Sequence, residues 1–207
     1  MTHRWRCRCG KLVGEVAGGS VVNRGVCYCK DCQAFAYFLG APERILDARG
    51  GTDIVQTSPQ AVTFTAGREN LACMRLTPRG LMRWYAACCN TAVCNTAPDY
   101  RLSFVGLIHD GLANSAQTLD ASFGPASMRV NTQSAAGEPK PRSAGVFVAV
   151  VRLGGMMLRA RVTGAYRHTP FFSADGVPIA QPKVLSVDEL RAVMTNVARH
   201  GAARAAP

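Results

Sequence analysis

Hydrophobic and polar residues alternate over Lys11–Val16, the two-residue period of a strand with one buried face. Val62–Thr65 and Leu71–Leu76 repeat the pattern, and the unbroken apolar run Phe104–Ile108 reads as a strand covered on both sides. Gly50-Gly51 and Pro78–Gly80 supply turns between them. Helical spacing is confined to three places. Asp31–Leu39 forms a short helix, with Asp31 placed to cap it and Gly40 to end it. Val146–Val162 reads as a helix that Gly154-Gly155 weakens and Gly164 closes. Ser186-Val-Asp-Glu189 is a capping box, and behind it Leu185, Leu190, Val193 and Val197 share one face, with His200–Pro207 expected as a frayed tail.

These elements predict a mainly β region over 1–122, a linker or long surface loop over 123–144 and a C-terminal helical extension over 145–207, α+β overall. The middle stretch is rich in Pro, Gly, Ser and Ala and has no hydrophobic period.

A chain of 207 residues can bury a core without disulfides, and 48% hydrophobic against 18% charged residues is a globular balance. The formal charge of +11 favours an anionic partner: a carboxylate-bearing small molecule, a nucleic acid or a membrane surface. The basic residues are scattered and form no block of five or six, which argues against a nucleic-acid arm. No apolar segment follows the opening MTHRWRCRCG, and the longest apolar run, Gly145–Val151, is too short to span a bilayer. A soluble, cytoplasmic protein with no membrane partner is expected.

Cysteine usage changes the picture. The chain has nine, an odd number, and they are clustered. In a reducing compartment such clusters hold a metal or react more often than they pair. Cys7 and Cys9, placed at a strand start, need a second pair to complete a tetrahedral site, and the vicinal Cys88 and Cys89 are the best-placed candidates. Such a site contributes on the order of 10 kcal/mol to folding. Cys27, Cys29 and Cys32 form a C-x-C-x-x-C array at a helix start. Three ligands leave one position of a zinc ion open, as in catalytic sites, and a thiolate at a helix N-terminus is stabilised by the dipole. Metal binding, a redox role and direct reactivity all remain open for this array. Cys73, in an alternating strand, reads as a small buried residue, and Cys94 suits either role. His109 reads as structural and His168, beside Arg167, as part of a solvated loop; Tyr28, Gln33 and Phe35 are candidate pocket wall.

The layout Arg6-Cys-Arg-Cys-Gly10, then Cys27-Tyr-Cys-Lys-Asp-Cys32-Gln-Ala-Phe35, then Arg83-Trp-Tyr-Ala-Ala-Cys-Cys-Asn-Thr91 resembles the glutathione-dependent formaldehyde-activating enzyme family, the Gfa-like or centromere-protein-V-like zinc domain, in a bacterial branch. The resemblance covers roughly the first half of the chain. It implies a β-rich, tent-like fold, one structural zinc on Cys7, Cys9 and the later cysteines, and a second zinc on Cys27, Cys29 and Cys32 linked to catalysis. The implied activity is carbon–sulfur lyase chemistry on the adduct of formaldehyde and glutathione. One departure bears on the structural site: Ala86 stands where the family has the first cysteine of its later pair, so the fourth ligand must come from the vicinal Cys88 or elsewhere. Asp31 is the nearest general acid or base, a role that competes with capping. The alternative reading is a non-catalytic, zinc-stabilised module with a basic surface for an anionic partner.

Overall fold

The computed structural model describes residues 2–205. The chain opens with the hairpin β1 (Thr2–Arg6) and β2 (Val13–Ala17), followed by β3 (Asn23–Cys27), α1 (Lys30–Phe38) and α2 (Pro42–Ile45). A run of strands comes next: β4 (Thr52–Thr57), β5 (Val62–Ala66), β6 (Leu71–Arg75), β7 (Met82–Ala86), β8 (Thr91–Thr96) and β9 (Val105–Ile108). The short helices α3 (His109–Leu112) and α4 (Leu119–Phe123) lead to β10 (Met128–Val130), then α5 (Val146–Val162), β11 (Lys183–Val184) and α6 (Val187–Ala205).

Two sheets result, giving a mixed α+β architecture. The smaller is antiparallel, in the order β1-β2-β5. The larger runs β10-β3-β4-β9-β8-β7-β6-β11 and is antiparallel except at its two edges, where β10 lies parallel to β3 and β11 parallel to β6. The main core fills the space between the sheets. Trp5, Val16 and Val62 enter it from the small sheet, and Cys73, Met82, Trp84, Val93 and Leu107 from the large one. Phe171 and Phe172 complete it, with the Phe171 ring 5.3 Å from Trp84 and 5.6 Å from Phe64. The stretch expected as a C-terminal extension therefore supplies aromatic rings to the core of the cysteine-rich region. On the other face of the large sheet, Phe35 of α1, Val197 of α6 and Leu185 just before α6 are buried with Met74 and Ile108.

The alternating and apolar runs become β2, β5, β6 and β9, and the helical stretch Val146–Val162 becomes α5 over the residues its pattern marks. Two capping expectations separate. The box at α6 forms in full: the Ser186 N–H donates to Glu189 Oε2 at 2.8 Å, and the Glu189 N–H donates to Ser186 Oγ at 3.2 Å. At α1, however, the cap is Cys29, whose sulfur accepts the N–H of Cys32 at 3.4 Å. Asp31 falls in the first turn and faces the buried Arg83 at 3.7 Å. Arg83 also lies 5.6 Å from the Phe35 ring, so one guanidinium ties α1 to β7 at two points one helical turn apart. The expected frayed tail is helical through Ala205, with Ala206 and Pro207 outside the described residues.

Residues 123–144, expected as a linker or surface loop, are held at both ends. Arg24 donates to the Gly124 carbonyl at 2.6 Å and pairs with Asp53 at 2.7 Å and with Asp120. The segment then enters the sheet as β10. What admits it is Gly25: a Cβ there would sit 2.3 Å from the Met128 carbonyl oxygen. The composition concealed this strand because it is only three residues long and its partner contributes a glycine rather than a side chain.

Truncating a ring at the centre of the core leaves a cavity that the two sheets cannot close. Phe171→Ala is expected to lower stability by about 3–5 kcal/mol, measured by urea unfolding, and to lower the transition of the whole chain rather than create a separate C-terminal one.

Candidate metal centres

Cys7 and Cys9 lie in the turn between β1 and β2, after a strand rather than at the start of one. Gly10, at φ +77°, reverses the chain there, and its N–H donates to the Cys7 carbonyl at 2.9 Å. The Leu12 N–H then donates to Cys7 Sγ at 3.3 Å. Cys88 and Cys89 occupy the turn between β7 and β8, where the Asn90 N–H donates to the Ala86 carbonyl at 2.8 Å and Asn90 adopts φ +53°, a conformation asparagine tolerates. The turns bring the four sulfurs together, all within 4.8 Å of one another. Cys7 to Cys9 is 3.5 Å, Cys7 to Cys88 3.8 Å, Cys9 to Cys88 3.3 Å and Cys88 to Cys89 3.9 Å.

Four thiolate ligands at about 2.3 Å from a tetrahedral ion are about 3.8 Å apart. The donor set and its spacing fit a closed metal site. The geometry also answers the departure at Ala86, whose side chain is buried in the core; the fourth sulfur is that of Cys88. Around the group, the Arg8 N–H and Cys89 Sγ both reach the Thr91 hydroxyl, at 3.0 and 3.1 Å, and the Arg8 guanidinium donates to the Cys89 carbonyl at 3.0 Å. Burial raises the Cys7 and Cys88 thiols. Burial acts the same way on Cys89, but hydrogen bonds from Thr91, the Cys9 N–H and the neighbouring thiols together hold it down at about 6.

The second group is Cys27, Cys29 and Cys32, again with all sulfurs within 4.8 Å. Cys27 ends β3, Cys29 caps α1 and Cys32 sits in its first turn. Ile54 and Val130 form an apolar wall beside them. Among the described residues no further cysteine, histidine or carboxylate joins the set. The Asn131 side-chain amide donates to Cys27 Sγ at 3.4 Å. Hydrogen bonds from Cys29 and Cys32 hold Cys27 down at about 2 against the effect of burial; the same pairing pushes Cys29 up to about 11 and Cys32 well up. A cation held by the three sulfurs would favour the thiolate form of each.

Asn131 is the residue that sequence reading missed. It lies in the composition-biased stretch and reaches Cys27 because β10 pairs with β3, a long-range contact with no local signal. Of the candidate pocket residues, Gln33 donates to the carbonyls of Tyr28 at 2.8 Å and Ser134 at 3.2 Å, closing the 131–136 segment over α1. Phe35 faces the core under Arg83 and Tyr85 instead. Cys73 and Cys94 are buried apart from both groups, with thiols raised by burial, to about 12 for Cys73, and they behave as small apolar residues. His109 contacts the Arg44 carbonyl at 3.1 Å and joins neither group, and His168 is exposed.

Removing single sulfurs separates the two sites. Elemental analysis of Cys88→Ala should show loss of the metal bound by the four-sulfur group and a marked drop in stability, whereas Cys27→Ala should lose only the other equivalent. Cys94→Ala should retain both. Gly25→Val, which displaces β10 and Asn131, should weaken only the three-sulfur site, with about 1–3 kcal/mol of destabilisation from overpacking.

No curated protein matches the chain. Among solved structures, the crystal structure of a Rhodobacter sphaeroides protein is similar at 16% identity, over 59% of this chain and 96% of that chain, with a TM-score of 0.38. A family match spans residues 3–182, which include both cysteine groups, β10 and α5. The chain belongs to the family of unknown function DUF6151.

Proposed function

We propose that the protein is a zinc-binding, Gfa-like carbon–sulfur lyase that handles a small anionic thiol at the three-sulfur site, the four-sulfur site being structural. The observation that carries this reading is the difference between the groups: one offers four sulfurs, a complete tetrahedral donor set, and the other offers three, which would leave one position of a tetrahedral zinc to an outside ligand. Zinc at Cys27, Cys29 and Cys32 would supply Lewis-acid chemistry that favours the thiolate form of an incoming thiol.

The chain's own residues do the rest. The Arg83 pairings to Asp31 and Phe35 fix the first turn of α1, and with it Cys29 and Cys32. Asn131 orients Cys27. A cavity of about 260 Å³ opens beside that turn, lined by Lys30, Gln33, Ser134, Lys140 and Met194; Lys30 suits a carboxylate of glutathione, while the Lys140 ammonium already donates to the Ala135 carbonyl at 2.7 Å and pairs with Glu138 at 3.4 Å. In the synthetic direction the glutathione sulfur forms a bond to the formaldehyde carbon, the carbonyl π pair moves to oxygen, and that oxygen takes a proton from solvent, Asp31 being engaged by Arg83. Cleavage reverses each step.

Mixing the zinc-loaded protein with glutathione and formaldehyde and following S-hydroxymethylglutathione by exchange NMR tests the reading. Faster exchange than in buffer is expected, lost in Cys29→Ala and retained in Cys94→Ala. Exchange at the buffer rate with two zincs bound would overturn the lyase assignment.

A further inference from the structure

α5 is amphipathic in the reverse sense: its outward face is the more apolar one. Its inner face consists of Ala149, Leu153, Met156 and Ala160, four positions on one side of a helix turning about 100° per residue. Asn23 reaches in and donates to the Ala149 carbonyl at 3.0 Å. Directly opposite lie Phe147, Val151, Leu158 and Val162, exposed to 80, 58, 65 and 78%. Val148, Val150, Gly154 and Gly155 widen this exposed stripe. Arg152 and Arg159 border one edge and Arg161 the other, and the helix contains no acidic residue. At its C-terminal end Tyr166 lies between Arg161 and Arg167, 5.1 and 5.5 Å from its ring, and 5.6 Å from Tyr100, which Arg101 overlies in turn. Asp99 lies beside this cluster and accepts the Arg101 N–H.

We infer that α5 is a membrane-surface helix that docks the protein on an anionic lipid bilayer. An apolar stripe between two arginine edges matches the interfacial plane, where acyl chains take the stripe and lipid phosphates take the guanidinium groups. The Tyr–Arg cluster suits the headgroup level, where amphipathic rings sit. Charge decides against a second copy as the occupant: pairing two α5 faces would juxtapose three arginines from each chain with no acid on either helix, in a molecule of net charge +11. Length decides against spanning, since no described helix is long and apolar enough to cross a membrane, and the 17 residues of α5 reach about 25 Å. The expectation of no membrane partner rests on the lack of a run long enough to span a bilayer, a length that a helix lying in the interface does not need.

The test is co-sedimentation of the full, metal-loaded chain with vesicles of phosphatidylcholine containing phosphatidylglycerol, and with phosphatidylcholine alone, alongside light scattering without lipid. Binding to the anionic vesicles is expected, weakened by salt. Phe147→Glu with Leu158→Glu should reduce it by at least about tenfold, and neutralising Arg152, Arg159 and Arg161 to glutamine by about fivefold per arginine. These positions are exposed, so circular dichroism should be unchanged. The inference falls if the chain ignores anionic vesicles, if both variants bind as well as the parent, or if the chain is a dimer that Phe147→Glu with Leu158→Glu dissolves.

Discussion

Four sulfurs belonging to two turns meet between a hairpin of the small sheet and one of the large sheet. Cys7 and Cys9 close the β1–β2 hairpin, Cys88 and Cys89 close β7–β8, and the groups meet at distances of 3.3 to 3.9 Å. Thiols at such spacing gain little from one another and lose much if more than one ionises. With a cation they become a cross-link between strands of different sheets, and the aromatic core of Trp5, Trp84 and Phe171 lies in the space that this cross-link bounds.

The two sulfur groups solve different problems with similar parts. In the first, both pairs come from hairpin turns braced by Gly10 and Asn90, and the nearest polar groups, Thr91 and Arg8, engage the ligands rather than leave a gap. In the second, a strand end and a helix N-terminus supply the sulfurs, and the ordering comes from outside: Asn131 from the sheet edge and Arg83 from beneath the helix. The first group draws on its two turns alone, whereas the arrangement of the second depends on parts of the chain distant in sequence.

Legibility followed the range of the interactions. The capping box of α6, the extent of α5 and the alternation of β2 and β5 are local and were visible. The three-sulfur group was visible in its C-x-C-x-x-C spacing, whereas Cys88 and Cys89 as partners of Cys7 and Cys9 came from the need for a second pair and from the resemblance. Strands such as β8, buried at all six positions and interrupted by polar residues, show no period because both faces are covered. The cap of α1 was misplaced by two residues because a cysteine sulfur took the role that composition assigns to aspartate. Asn131 and the Arg83–Asp31 pair were invisible, since each depends on where a distant strand comes to lie.

The reciprocal hydrogen bonds between Arg129 and Ala144, 2.9 and 3.2 Å long, close residues 130–143 into a loop with its own clasp. The start of α5 is thereby set by Arg129, not by the path of the intervening residues. A change in length around Gly137–Arg142 would leave the clasp, and so the start of α5, in register, but it would move Gly137 and Lys140 on the rim of the cavity beside the three-sulfur group. A change between Met128 and Asn131 would instead break the register of β10 on β3 and carry the Asn131 amide away from Cys27.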